Sequence, residues 1–81
     1  MDIRKVFAAN LKRYREAAGL SQAALAVKIG VDRAHVSSME RGQQNVTIVT
    51  LWHVSEALGR KAAELLEDWQ PMTDGDRETD S

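Results

Sequence analysis

Gly19 to Gly42, GLSQAALAVKIGVDRAHVSSMERG, is the stretch on which the fold turns. Ser21 stands where a helix start needs a short side chain with an oxygen acceptor, and Leu25 and Ile29 follow four apart on one helical face. A helix is therefore expected from Ser21 or Gln22 to Ile29. Gly30 can take the positive φ that ends it without steric cost. Val31 plugs the corner, and Asp32 is a second cap candidate. From Asp32 a further helix runs to Gly42, with Val36 and Met39 as its buried stripe. Ala26 is small where these two helices must approach closely. Two short helices joined by a tight glycine-bearing turn cross at a steep angle.

The same punctuation extends in both directions. A first helix covers about Asp2 to Ala18. Asp2 is its cap, Ile3, Phe7 and Leu11 lie on its apolar face with Tyr14 one turn further, and Gly19 ends it in a left-handed turn. A fourth runs from near Thr47 to just before Gly59, where Leu51, Val54 and Leu58 recur at i, i+3 and i+7. A short fifth covers about Lys61 to Trp69, with Ala62, Leu65, Leu66 and Trp69 apolar. No stretch alternates with period two for long enough to build a sheet, so the expected class is all-α. Residues 1–69 make one domain. Residues 70–81, QPMTDGDRETDS, are polar and acidic with little to bury and read as a disordered tail.

Composition narrows the function classes. A chain of 81 residues supports one small core, and a domain of this size buries only about 60 % of its unfolded surface, which self-association would supplement. There is no cysteine, so neither a disulfide framework nor a thiolate metal site is possible, as befits a cytoplasmic protein. MDIRKVFAAN lacks the apolar run of a signal peptide, and no run approaches the roughly 20 apolar residues of a membrane span. His35 and His53 alone do not make a metal site, and no nucleophile with a base and an orienting partner suggests catalysis. The net charge is −1, yet it is polarised. Residues 1–45 carry eight Lys and Arg against Asp2, Glu16, Asp32 and Glu40, a net of +4, whereas 46–69 carry −2 and 70–81 carry −3. One half can face phosphate and the other cannot do so easily; the alternative is charge that merely solubilises the surface.

From about Leu11 to Leu66 the chain resembles the lambda-repressor-like family of helix-turn-helix proteins, the XRE or Cro/C1 type. The matching residues are Leu11, Arg15, Gly19-Leu20-Ser21-Gln22, Leu25-Ala26, Gly30-Val31, Val36-Ser37, Glu40-Arg41-Gly42, Asn45, Leu51, Ala57-Leu58-Gly59 and Leu65-Leu66. The short length and the ERGQQNVT stretch also resemble controller proteins of restriction–modification systems. The resemblance implies a five-helix domain whose third helix enters the DNA major groove. Wheel geometry agrees: with Val36, Met39 and Glu40 inward, Arg33, Ala34, Ser37 and Ser38 face out, where they can reach base edges. Arg33 suits guanine O6 and N7, Ser38 several bases, and Ala34 a thymine methyl. The alternative is an ordinary solvent-facing strip. The resemblance implies contacts to the DNA backbone from Ser21 and Gln22 at one helix start, where free N–H groups favour an anion, and from the loop residues Arg41, Gln43 and Asn45, with His35 a further candidate; capping for Ser21, plain exposure for His35 and a plain polar loop for the others are the competing readings. Gln44 stands between a clamp residue and a polar loop residue. Val46 replaces the proline that the family often places after this asparagine.

The resemblance further implies an Arg15–Glu40 bridge between the first and third helices, which would orient the reading helix; two exposed charges are the alternative. The family commonly dimerises through its C-terminal region, which points to Leu65, Leu66 and Trp69, although Trp52 and Trp69 could instead complete the core. The expected function is a sequence-specific transcriptional regulator that binds a pseudo-palindromic duplex as a homodimer, without cofactor or small-molecule ligand. The rival is a protein-interaction module such as an antitoxin, motivated by the acidic tail and the Trp-bearing last helix.

Overall fold

A computed structural model of the chain describes residues 2–68. Four α-helices follow one another: α1 (Ile3–Ala17), α2 (Gln22–Ile29), α3 (Arg33–Glu40) and α4 (Ile48–Leu58), with a 3-10 turn over Ala62–Leu66. Among the described residues there is no strand. Trp69 and the expected acidic tail, 70–81, lie outside the described residues.

The helix ends fall where the caps and glycines put them. Asp2 accepts from the Arg4 N–H (3.0 Å), Ser21 Oγ from Ala24 (3.0 Å) and Thr47 Oγ1 from Thr50 (3.1 Å), each satisfying an otherwise orphaned donor of a first turn. Gly30 closes α2 with φ +76°, and the next N–H, of Val31, reaches back to the Ala26 carbonyl (3.0 Å). Asp32 departs from expectation. It occupies the cap position of α3, but its carboxylate makes no capping bond. Its main-chain carbonyl takes the His35 N–H instead, at 2.9 Å.

The fifth expected helix is also corrected. Among the described residues, where an α-helix from Lys61 was expected, there is only the single 3-10 turn, and the α-helices number four. Glu64 closes its front by accepting from the Lys61 N–H (2.9 Å). At its far end the buried Asn10 amide donates to the carbonyls of Leu65 (2.9 Å) and Glu67 (2.8 Å). Those carbonyls are bonded to α1 rather than to a further turn, which ties the segment down where a helix would have continued.

The core gathers Phe7, Leu11 and Tyr14 from α1, Leu25 and Ala26 from α2, Val36 and Met39 from α3, Val54 and Leu58 from α4, and Leu65 from the 3-10 turn. Ile3, expected on the apolar face of α1, is largely exposed. Of the two readings open for Trp52, the core one fails: the side chain is 56 % exposed. It lies two residues from Val54, about 200° around the helix, and so faces away from the buried stripe. The main neighbours of α3 are α1 and α2, while α4 rests on α2, α1 and the 3-10 turn. The two inward residues of α3 thus anchor it to one side, and its other side stays open.

Candidate nucleic-acid interface

The open side of α3 carries the residues that the sequence singles out. Arg33 and Ala34 are exposed; His35, Ser37 and Ser38 are half-buried. Arg33 makes no hydrogen bond or ion pair with any described residue, so its guanidinium keeps all five donors for an outside acceptor. The two serines are already engaged by the loop that follows. Arg41 Nη1 donates to Ser37 Oγ, and Arg41 Nε donates to Gln43 Oε1 at 3.1 Å. Gln44 Nε2 donates to Ser38 Oγ at 2.9 Å. Sequence reading left Gln44 between two roles and missed this bond; a glutamine six residues beyond a surface serine gives no periodic signal. Asn45 is exposed.

Arg15 and Glu40 meet. Arg15 donates to both carboxylate oxygens, through Nε and through Nη2 (3.0 Å), and its Nη1 reaches the Leu20 carbonyl (2.8 Å). The side chains are 10 % and 5 % exposed, so this forked pair is screened from water. The hydrogen bonds to Glu40 push the Arg15 guanidinium to still higher basicity, against the opposing effect of burial. Gln22 Nε2 also donates to Glu40, at 3.1 Å. One carboxylate therefore ties together α1, the first residue of α2 and the last residue of α3. Ser21 spends its oxygen on its own helix, as the capping reading has it.

At the other end of the molecule the expected interface residues separate. Leu65 is wholly buried, so its side chain has no surface to offer a second subunit, and that expectation is withdrawn. Leu66, 42 % exposed, faces outward, and Trp69 lies outside the described residues. Asn10 was not foreseen as a tether. Its signal was a lone polar residue within the stripe Ile3, Phe7, Leu11, Tyr14, at a position the helix must bury. Among the described residues no cluster of His, Asp or Glu could hold a metal, and no helix is long and apolar enough to cross a membrane.

Known proteins agree with this architecture. The helix-turn-helix family model matches residues 11–65. The control protein C.MunI of a Mycoplasma species is 41 % identical over 68 residues, covering 83 % of this chain and 92 % of that protein. The crystal structure of the restriction–modification controller protein C.AhdI from Aeromonas hydrophila superposes with a TM-score of 0.73 at 40 % identity, over 76 % of this chain and 94 % of that one. A hypothetical transcription factor from Neisseria gives a TM-score of 0.78 at 38 % identity, over 82 % and 76 % of the two chains. Sequence match, relatives and superposed helices converge, and the chain belongs to the helix-turn-helix family as an XRE-type DNA-binding transcriptional regulator rather than an enzyme.

Proposed function

We propose that this regulator reads a pseudo-palindromic operator as a homodimer, with α3 of each copy in a major groove. The observation that carries the reading is the open side of α3, where an unengaged Arg33 stands beside Ala34, Ser37 and Ser38 on a helix fixed from behind by Glu40. Arg33 is assigned to guanine, Ala34 to a thymine methyl, and the serines to base edges. Ser21, Gln22, His35, Arg41, Gln43 and Asn45 flank the groove and face phosphate, Gln22 from the N-terminal turn of α2. Neutralisation by Arg15 keeps the Glu40 charge from repelling the duplex.

The homodimer draws support from an exposed apolar surface. Ile48, Val49 and Trp52 of α4 are 82, 63 and 56 % exposed, and Leu66 and Ile3 line a groove of about 240 Å³ beside Ile48. Such a patch on so small a protein suits a partner. Because α4 is not among the main neighbours of α3, a second copy seated there would leave both reading helices free. Two recognition helices would then stand about 34–36 Å apart, one helical turn of DNA. The cytoplasm is the compartment this reading implies, since that is where the duplex is.

Selection from random duplexes by gel shift, with the oligomeric state measured by light scattering, tests the reading. The expected result is a two-fold motif with half-sites one turn apart, bound by two chains, with affinity that falls steeply as salt rises. Enrichment of no sequence would overturn it and leave the fold as a protein-interaction module.

A further inference from the structure

Ser37 and Ser38 are held differently from Ser55 and, unlike the capping Ser21, whose oxygen takes a main-chain N–H of its own helix, are held by side chains of the loop after α3. Ser55 donates its hydroxyl hydrogen to the Trp52 carbonyl (2.7 Å), an ordinary back-bond within a helix. Ser37 and Ser38 are recorded only as acceptors, from Arg41 Nη1 and Gln44 Nε2 respectively. Among the described residues neither hydrogen has a protein acceptor. From this we infer that the loop after α3 sets both hydroxyls as hydrogen-bond donors, so that α3 selects acceptor-bearing base edges where Ser37 and Ser38 face the groove. The inference rests on α3 as the reading helix.

Three physical effects point the same way. A serine hydroxyl has one hydrogen and two lone pairs, so a bond accepted from the loop leaves one hydrogen and one lone pair for DNA. An oxygen that accepts a bond is polarised into a stronger donor through that same bond. In a closed groove an unmade donor costs more than a spare lone pair, so the hydrogen rather than the lone pair dictates what must lie opposite. For Ser37 the donor is a cation, and its positive field repels a second donor such as a base amino group. The edges that satisfy these hydroxyls are purine N7, guanine O6 and thymine O4; the amino groups of cytosine and adenine do not. Gln44 is thus a positioning residue, acting through Ser38.

The experiment uses the full chain on its selected operator, with base analogues placed at each pair whose preference Ser38→Ala relaxes. Duplexes carrying 7-deazapurines, or thio-substituted guanine or thymine, weaken or delete one acceptor. Duplexes carrying 2-aminopurine for adenine, or a pyrimidinone for cytosine, delete one donor. Wild type is expected to lose about fivefold in affinity on one of the acceptor changes, the worth of one hydrogen bond. Ser38→Ala should lose less than twofold on the same duplex. Gln44→Ala, with its folding checked by circular dichroism, should bind with a penalty shrunken towards that of Ser38→Ala. The idea is overturned by a penalty that follows donor deletion, by wild type and Ser38→Ala responding alike to every analogue, or by Gln44→Ala keeping the full penalty. A selection that enriches no operator at all would instead refute the reading of α3 itself.

Discussion

Glu40→Gln is the substitution that most directly weighs how the reading helix is held. The carboxylate accepts from Arg15 Nε, from Arg15 Nη2 at 3.0 Å and from Gln22 Nε2 at 3.1 Å. Glutamine keeps the volume and one carbonyl oxygen, but it removes the charge and turns one acceptor into a donor facing the guanidinium. Losing one partner of a buried ion pair costs about 3–5 kcal/mol. Because one acceptor survives, the expected loss is nearer 2–3 kcal/mol. A chain of this length has roughly 4–12 kcal/mol of stability in total, so Tm should fall by about 10–20 °C. Urea unfolding followed by helical circular dichroism measures this, and a double-mutant cycle with Arg15→Met isolates the pairwise part. Operator affinity should drop in parallel at temperatures where the variant is still folded, because the end of α3 and Gln22 both lose their anchor. A loss below about 0.5 kcal/mol at unchanged m-value, the range of an exposed pair, would refute the account.

Other outcomes follow from single features. Asn10→Ala leaves the carbonyls of Leu65 and Glu67 without their donor and should cost about 2–3 kcal/mol in denaturant unfolding; a cost under 0.5 kcal/mol would mean that the tether contributes nothing. At Gly30, where φ is +76° and an added Cβ meets nothing within 4 Å, Gly30→Ala should cost only backbone strain, about 1–2 kcal/mol, read as a Tm shift. Asp2 is held below its ordinary carboxyl value, chiefly by the Arg4 side chain and then by the Arg4 N–H. A depressed folded value confers stability that is present above the unfolded value, 3.8, and lost as pH falls through the folded one. The start of α1 should therefore fray only in acid below that point, seen in the Arg4 amide signal by NMR, and Asp2→Asn should remove the dependence. Arg33→Ala should leave stability within about 0.5 kcal/mol while lowering operator affinity about 5- to 100-fold and relaxing one base pair; an unchanged sequence preference in competition binding would count against its role.

Local chemistry is what the sequence makes legible. The ends of α1, α2 and α4 follow from Asp2, Ser21 and Thr47 at their starts and from glycines at or just beyond their ends, because a cap side chain and a positive φ act within a few residues. The wheel of α3 is equally local, since Val36 and Met39 fix which side must be buried. What could not be read depends on partners distant in sequence. Asn10 stops the last segment at one 3-10 turn through carbonyls 55 and 57 residues away. Adjacent Leu65 and Leu66 differ in burial because the packing of their turn on α1 and α4 decides which of them turns inward. Asp32 has the right residue type for a cap, yet the main chain supplies the bond that its carboxylate would have made. At the candidate interface, the exposure of Arg33 and Ala34 follows from periodicity, whereas the ties from Arg41 and Gln44 to the serines come from the path of the loop.

The bare state of Arg33 and Ala34 has a consequence for descent. Neither side chain holds up any part of the scaffold, so exchanges at these two positions leave the fold almost untouched. A duplicated copy of the gene could drift there towards a new target without passing through an unfolded product. The serines are less free, because each change would also strand the loop group now bonded to it. New specificities in a lineage of this kind should therefore arise first at the start of α3 and only later towards its end.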